Sequence, residues 1–167
     1  DFTLSMWVQY DGGPSRTLFS FSNKRSSHRI QMEVNEGTLR FGWHDGQSWK
    51  AFATKPLPWE PGRWYHVVFV YDSKLGKSIL RSNDLVWATN DNALTPADLI
   101  WPVTNVDIGS LNGKCSFNGC IDDVRMYDSP MPVSEQLAIY ESHMDKPAAP
   151  WAVARDKFLE KHRMRRL

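Results

Sequence analysis

The sequence predicts an all-β protein built as an antiparallel β-sandwich. Short apolar or alternating runs are separated by turn residues about every eight to twelve positions, which is typical of sandwiches. No segment with helical apolar periodicity interrupts these runs before residue 132. The 167 residues form one domain that is large enough to bury a proper core.

The first predicted strand, from Phe2 to Tyr10, shows the clearest alternation. Apolar side chains occupy its even positions, and polar ones occupy most of its odd positions. Trp7 interrupts the polar side, which indicates that both faces of this strand are covered. The turn residues Asp11 to Pro14 end the strand.

Two hairpins and a central strand are predicted next. Residues 30–34 and 39–43 alternate on either side of a turn at 35–37, which indicates a hairpin. The segment 62–72 contains a continuous apolar run, so we expect a central strand covered on both faces. Residues 79–88 form a second tight hairpin, and shorter strands are expected at 17–22, 49–53 and 106–109.

The closing part of the chain predicts a strand, a short helix and a tail. Asn118-Gly119 supplies a turn before a strand that reaches Tyr127. Helix is expected from Pro132 to His143, because proline suits a first helical turn. A linker with two prolines then leads into a basic helical segment at 152–167. We therefore predict a domain at 1–143 and a linker plus basic amphipathic tail at 144–167.

Four segments resemble one known family in order and spacing. The run F-N-G-C-I-D-D-V-R-M-Y-D at 117–128 is similar to the closing segment of laminin-G-like jelly rolls, which belong to the concanavalin A-like lectin/glucanase superfamily. Residues 2–8, 62–72 and 108–109 resemble the family's opening strand, central strand and Ile-Gly pair. The resemblance implies a concanavalin A-like jelly-roll sandwich with a short C-terminal helix. It also implies a secreted or cell-surface, non-catalytic recognition module that binds a glycan or a protein ligand.

No motif in the sequence predicts catalysis. Glycoside hydrolysis needs two carboxylates that face one cleft. Hydrolases of the resembled superfamily carry Glu-x-Asp-x-x-Glu on one strand, whereas the nearest run here, Glu33 to Glu36, lacks that pattern. Nucleophile-elbow and phosphate-loop motifs are also missing from the sequence. We therefore predict that the protein is not an enzyme.

The segment W-H-D-G-Q-S-W at 43–49 is the best candidate for a sugar site. Aromatic rings stack on the apolar face of a pyranose, and amide or carboxylate groups bind its hydroxyls. The alternative is that Trp43 completes a core stripe with Leu39 and Phe41, while Trp49 packs on a neighbour. The predicted ligand-binding residues are Trp43, His44, Asp45, Gln47, Trp49 and, from the following Pro-rich loop, Trp59.

Calcium and a disulfide are two further hypotheses. Many relatives in the resembled family bind calcium through loop aspartates, although the candidates here do not cluster in sequence: Asp11, Asp45, Asp72, Asp91 and Asp107. In laminin G domains the cysteine that corresponds to Cys120 forms a disulfide with a cysteine near the end of the domain. This sequence has no cysteine after Cys120. A bond between Cys115 and Cys120 is geometrically possible across the intervening turn and would imply an oxidising compartment.

The charge distribution suggests a second function. Residues 152–167 carry six basic and two acidic residues, a net +4, which leaves 1 − 4 = −3 for the rest of the chain. Such a tail suits docking on a partner protein, an acidic membrane surface or RNA. The chain would then be a structural accessory subunit of a large multiprotein assembly in an organelle. That assembly could be a membrane complex or a ribonucleoprotein. The docking residues would be Arg155, Lys157, Phe158, Lys161, Arg163, Arg165 and Arg166.

Overall fold

The computed structural model describes residues 1–14, 16–23, 27–56, 59–91 and 102–144. Within these residues the chain forms two antiparallel five-stranded sheets and one helix. Sheet A has the strand order β10-β1-β6-β7-β8, and sheet B has the order β5-β4-β3-β2-β9. The elements are β1 (Phe2–Tyr10), β2 (Arg16–Ser22), β3 (His28–Asn35), β4 (Thr38–Asp45), β5 (Trp49–Pro56), β6 (Trp64–Asp72), β7 (Lys77–Ser82), β8 (Leu85–Asp91), β9 (Asn105–Ile108), β10 (Gly119–Tyr127) and α1 (Val133–Met144).

The core lies between the two sheets, which confirms the predicted sandwich. Alternation turns Leu4 of β1 and Phe41 of β4 inward, and both are almost fully buried. The rings of Phe41 and Phe69 stack across the core with centroids 3.5 Å apart. All nine residues of β1 are buried, so the prediction that both faces of this strand are covered is confirmed.

Both predicted hairpins are present, and their turns explain their register. Between β3 and β4, Glu36 and Gly37 have φ values of 49° and 70°, as a two-residue hairpin turn of the mirror type requires. Between β7 and β8, Asn83 has a φ of 56°. Its side-chain Oδ1 accepts the His66 N–H at 2.9 Å, which ties this hairpin to β6, the central strand of sheet A.

Helix α1 covers the outward surface of sheet A. The Pro132 carbonyl accepts the N–H groups of Glu135 and Gln136, so the helix starts one residue after the predicted proline. The Thr3 hydroxyl donates to the Ser129 carbonyl and accepts the Met131 N–H, both at 2.8 Å, and this fixes the segment leading into α1 on β1. The predicted C-terminal helix is therefore confirmed.

Two predicted segments lie outside the described residues. The long loop expected after Asn90 falls mostly at 92–101, and the linker with the basic tail falls at 145–167. Within the described part of the chain, no helix is both long enough and apolar enough to cross a membrane.

Candidate ligand-binding face

The outward surface of sheet B, which we call the B face, is composed of polar cross-strand rows. Antiparallel register places one residue from each strand side by side. We number the rows from the end of the sheet where β4 meets β5. Row 1 contains Trp49, His44, Arg29, Ser22 and Asn105; row 2 contains Gly42, Gln31, Ser20 and Asp107; row 3 contains Arg40, Glu33 and Thr17.

The same alternation that fills the core makes the B face polar. On β3, Ile30, Met32 and Val34 point inward and are buried, so the residues between them must point outward. A one-residue slip in register would exchange these two sets, and the core therefore fixes which side chains the B face displays.

Gln31 connects the three rows of the B face. Its side chain is only 4% exposed, so its amide must be satisfied by the protein. The Nε2 group donates to Thr17 Oγ1 and to Glu33 Oε2, both at 2.8 Å. Its Oε1 accepts the Arg29 Nε–H at 3.2 Å. The polar side chains of the middle strands are thus held in one hydrogen-bonded set.

Arg29 is stacked on Trp49 in row 1. Its guanidinium carbon lies 5.1 Å from the centroid of the Trp49 ring, within the range of a cation–π contact. The ring extends over Gly42, where a Cβ atom would overlap Trp49 Cζ2 and approach the Lys50 carbonyl to 2.8 Å. Burial lowers the pKa of Arg29, while the nearby Glu33 carboxylate and Cys115 oppose that shift.

Beyond Arg29, the B face continues to the edge strand β9. The Ser22 hydroxyl is fully buried, and among the described residues it has no hydrogen-bond partner. Asp107 Oδ2 accepts the Asn112 N–H at 3.1 Å and the Ser20 hydroxyl at 3.4 Å. Asn105 donates from Nδ2 to Asn112 Oδ1 at 2.8 Å. A fixed polar edge therefore borders the face.

Two of the predicted ligand-binding residues, Trp43 and Trp59, are not available to a ligand. They are 7% and 8% exposed and belong to the core. Trp43 completes the inward stripe of β4, which was the alternative interpretation. Trp59 donates to the Ser82 hydroxyl at 3.0 Å and stacks on Tyr65 at 5.0 Å. Trp43 thus points into the core instead of flanking the turn opposite Trp49, and Trp59 makes an internal hydrogen bond instead of joining them.

The remaining predicted residues are split between the turn and the B face. Asp45 Oδ1 accepts the N–H groups of Gln47 and Ser48 at 2.9 and 2.8 Å, so Asp45 caps the β4–β5 turn. The Ser48 N–H, the Lys50 ammonium and the Gln47 N–H hold the pKa of this carboxyl well below its usual range. Of the six predicted residues, only His44 and Trp49 lie on the B face.

Sequence reasoning did not single out Arg29, Gln31, Ser22 or Asn105. A signal for β3 was present, since polar residues alternate with Ile30, Met32 and Val34 and so share the outward side of that strand. What the sequence did not give was the strand order, because β9 comes from a segment far along the chain and lies beside β2.

The calcium candidates mostly have local structural roles. Asp72 Oδ1 accepts the N–H groups of Lys74 and Leu75 at 3.0 Å, and Asp91 lies 3.7 Å from the Lys77 ammonium. Asp11 is at the start of the turn that follows β1. Throughout the described ranges, no three His, Cys, Asp or Glu side chains are grouped as metal ligands.

The two cysteines are present as thiols. Cys115 is exposed and Cys120 is half-buried on β10, and the structure does not contain the predicted bond between them. The predicted docking residues of the basic tail lie outside the described residues. The accessory-subunit hypothesis therefore stays a prediction.

Helix α1 packs on part of the outward surface of sheet A, which we call the A face. Trp7 stacks on His66 with centroids 5.1 Å apart and on Tyr140 of α1 at 6.0 Å. His143, also on α1, lies with its Nε2 3.3 Å from Asp123 Oδ2, and Arg125 binds the same carboxylate at 2.7 Å. At Trp7, His66 and Asp123 the A face is thus an interface with α1, whereas Val86 on β8 remains 50% exposed.

Ser5 and His66 form a hydrogen-bonded pair beneath α1. Ser5 Oγ lies 2.8 Å from His66 Nε2, but both residues are only 1% exposed, so no substrate reaches this hydroxyl. Burial lowers the pKa of His66 to about 4; the positive charges of His143 and Arg125 add to the shift, and Asp123 opposes it. A neutral, buried histidine here has a packing role.

Comparison with known proteins identifies the family. Three solved structures share the fold: the Ruminococcus gnavus IT-sialidase CBM40 bound to α2,3-sialyllactose (18% identity, TM-score 0.70, 83% of this chain and 82% of that one), a heptameric SAP-like pentraxin from Limulus polyphemus (20%, 0.63, 87% and 72%) and mouse laminin α1 domains LG4-5 (13%, 0.57, 80% and 37%). A search of curated protein sequences gave no match. A laminin-G family model matches residues 1–135, and the chain therefore belongs to the concanavalin A-like lectin/glucanases superfamily.

Proposed function

We propose that the protein is a non-catalytic binding module that holds a glycan on its B face. The observation that carries this proposal is the contrast between the two outward surfaces. Helix α1 packs on Trp7 and His66 of the A face, whereas the B face carries rows of mainly polar side chains, of which Arg29, Glu33 and His44 keep part of their surface exposed. Solved structures of this fold include a carbohydrate-binding module, which supports a glycan as the ligand class.

The chemistry of the B face suits a polyhydroxylated ligand. Sugar hydroxyls need donors and acceptors that are already oriented, because ordering flexible side chains on binding reduces affinity. Gln31 holds Arg29 and Glu33 in place, and Asn112 holds Asn105. The rows are therefore preorganised before a ligand arrives.

The carboxylates on the B face support a binding role rather than hydrolysis. A glycosidase needs one carboxylic acid that donates a proton and a second carboxylate beside the scissile bond. Glu33 accepts a hydrogen bond from Gln31, and Asp107 accepts one from the Asn112 N–H. Both groups are thus used as acceptors within the sheet, and we expect bound glycans to be recovered uncleaved.

A glycan array with the full chain, followed by calorimetry on the best glycan, tests the proposal. The informative variant is Asn105→Ala on β9, and its matched control is Asn90→Ala on β8, since both lie on edge strands but on different sheets. We expect Asn105→Ala to bind the glycan about tenfold more weakly, which corresponds to roughly 1.4 kcal/mol, the scale of one lost hydrogen bond. Asn90→Ala should bind the glycan with unchanged affinity.

NMR titration of the ¹⁵N-labelled chain locates the site independently. Amide shifts should concentrate on β2, β3, β4 and β5. Shifts confined to α1 and β10, or no glycan binding on the array, would overturn the proposal. Chromatography of the recovered glycan provides the check on catalysis, because cleavage products would contradict a purely binding role.

A further inference from the structure

The chain contains two Asn-Gly sequences, at 112–113 and 118–119, which the structure places in different surroundings. Asparagine is among the chemically labile residues of proteins, and a following glycine offers the least hindered backbone nitrogen for attack on its side-chain amide. We infer that Asn112 is a self-modification site, where the Gly113 nitrogen displaces the side-chain amide as ammonia while Asn105 donates a hydrogen bond to the attacked group. The reaction needs only these three residues and water, so it does not depend on glycan binding.

Asn112 and Gly113 are the central residues of an exposed turn in the connection between β9 and β10. The backbones of Leu111 and Lys114 pair across this turn, with donor–acceptor distances of 2.8 and 2.9 Å. Both central residues have positive φ values, 47° and 69°, as a turn of the mirror type requires. Because the turn is exposed and is closed by an isolated bridge, its backbone can rearrange at little cost.

Asn105 polarises the amide that is attacked. Its Nδ2 group donates to Asn112 Oδ1 at 2.8 Å. When the Gly113 nitrogen adds to Asn112 Cγ, negative charge develops on this oxygen, and a donor that is already in place stabilises it. The Asn112 N–H also donates to Asp107 Oδ2 at 3.1 Å. Strand β9 therefore holds both the backbone and the side chain of residue 112.

Gly113 suits the attacking role, because among the described residues nothing lies within 4 Å of the position that a Cβ atom would take there. A bond forms between the Gly113 nitrogen and Asn112 Cγ, and the bond from Cγ to Nδ2 breaks. The proton that the Gly113 nitrogen loses leaves with Nδ2 as ammonia. Water then opens the resulting cyclic succinimide from either side, which gives aspartate or isoaspartate at residue 112.

The second sequence, Asn118-Gly119, has a constrained backbone. Gly119 is the first residue of β10 and pairs with Tyr10 of β1. A Cβ atom at Gly119 would overlap the Gln9 carbonyl, so β1 leaves this backbone no room to turn. The Asn118 Nδ2 group donates to the Gly12 carbonyl at 3.0 Å. Succinimide formation here requires that strand pairing opens first, which lowers its rate.

Modification at residue 112 would change one border of the B face. Isoaspartate lengthens the backbone of the turn, which disturbs the pairing of Leu111 with Lys114. Either product also places a carboxylate near Asp107, whose Oδ2 lies 3.1 Å from the nitrogen of residue 112, and like charges repel. Asn105 and Asp107 are in rows 1 and 2, so this edge of the face would differ between the fresh and the modified protein.

Incubation of the full folded chain at mildly alkaline pH, followed by peptide mass spectrometry and an isoaspartate-specific methylation assay, tests the inference. We expect residue 112 to react at least about tenfold faster than residue 118, which corresponds to roughly 1.4 kcal/mol of local opening at the slower site. The same chain unfolded in denaturant is the matched control. There the two sites should react at similar rates, because the structural difference between them is gone.

Variants of Asn105 test its role as a donor. Asn105→Asp replaces the donor with an acceptor of nearly the same size, and Asn105→Ala removes the donor without adding charge. Both should slow the reaction at residue 112 by up to about tenfold, the scale of one hydrogen bond. Asn90→Asp on β8 makes the same exchange on another edge strand and should leave the rate unchanged. Asn112→Gln should give no product at residue 112.

Equal rates at residues 112 and 118 in the folded chain, or a faster reaction at residue 118, would overturn the inference. A folded chain that stays intact at residue 112 while the unfolded chain reacts would also overturn it. An unchanged or faster reaction at residue 112 in both Asn105 variants would overturn the assignment of Asn105 as the donor.

Discussion

The two outward faces of the sandwich are formed by similar strands but differ in what packs on them. Each face carries a tryptophan at an outward position, Trp7 on the A face and Trp49 on the B face. Trp7 is 8% exposed and stacks on His66 and Tyr140. Trp49 is half-buried and supports Arg29. Trp7 thus contributes to the packing of α1, whereas Trp49 packs against Arg29 and lies outside the core cluster.

The difference between the faces lies in their coverage. Helix α1 brings Tyr140 and His143 onto the A face and turns Trp7 and His66 into interior groups. Among the described residues, no helix packs on the B face; there Gln31 is hydrogen-bonded to Arg29 and Glu33 along β3 and to Thr17 across to β2. Substitutions on the A face should therefore mainly lower the free energy of unfolding, whereas substitutions on the B face should mainly weaken ligand binding.

The largest contrast is expected between alanine substitutions of the two tryptophans. Trp7→Ala should lower the free energy of unfolding by about 3–5 kcal/mol, because it leaves a cavity beneath α1. Trp49→Ala should lower it by about 1 kcal/mol, since that ring is half-exposed. Urea unfolding of both variants measures the difference.

If Trp7→Ala does not fold, Trp7→Phe gives the same comparison with a smaller loss. Equal losses at the two positions would contradict the division into a structural face and a binding face.

The second largest expected effect is a pH dependence of stability that comes from His66 on the A face. The folded pKa of His66 is about 4, mainly because of burial, against an ordinary value of 6.5. The unfolded chain therefore takes up the proton first as pH falls. The neutral His66 ring makes its full contribution to the free energy of unfolding above about pH 6.5. That contribution decreases by up to about 3 kcal/mol as the pH approaches 4.

Chemical unfolding at pH 7 and at pH 4.5 measures this loss. His66→Gln removes the titrating group and should flatten the profile over this range. An unchanged slope in His66→Gln would show that another group is responsible.

A smaller effect is expected for Gly42→Ala on the B face. The added Cβ would overlap the Trp49 ring and approach the Lys50 carbonyl to 2.8 Å, so the ring must move. We expect a loss of about 1–3 kcal/mol in stability, typical of overpacking, together with weaker glycan binding. Urea unfolding and glycan calorimetry measure the two effects.

The matched control for this substitution is Gly37→Asn. Gly37 has a φ of 70° and open space around its Cβ position, and asparagine tolerates that conformation. Loss of binding in Gly37→Asn as well would indicate a general effect of glycine substitution rather than displacement of Trp49.

The sequence predicted most of the fold because each strand carries its own signal. The alternation in β1, the mirror-type turn at Glu36-Gly37 and the helix after Pro132 depend on neighbouring residues, and the structure contains all three. The site was predicted less well, since its residues come from strands far apart in the chain. Trp43 and Trp59 were expected to bind ligand because aromatic content alone does not reveal which side of a strand faces the core.

What the sequence by itself determined is the class of fold and the alternation of β1, β3 and β4, which follow from local periodicity and turn chemistry; the family followed from the resemblance of four segments. Only the tertiary structure decided that β9 lies beside β2, that α1 packs on one face, and that Arg29 rests on Trp49. Those arrangements depend on strand order and on packing between distant segments. Among the described residues the helix packs on sheet A and not on sheet B, and for this reason we propose the B face as the site.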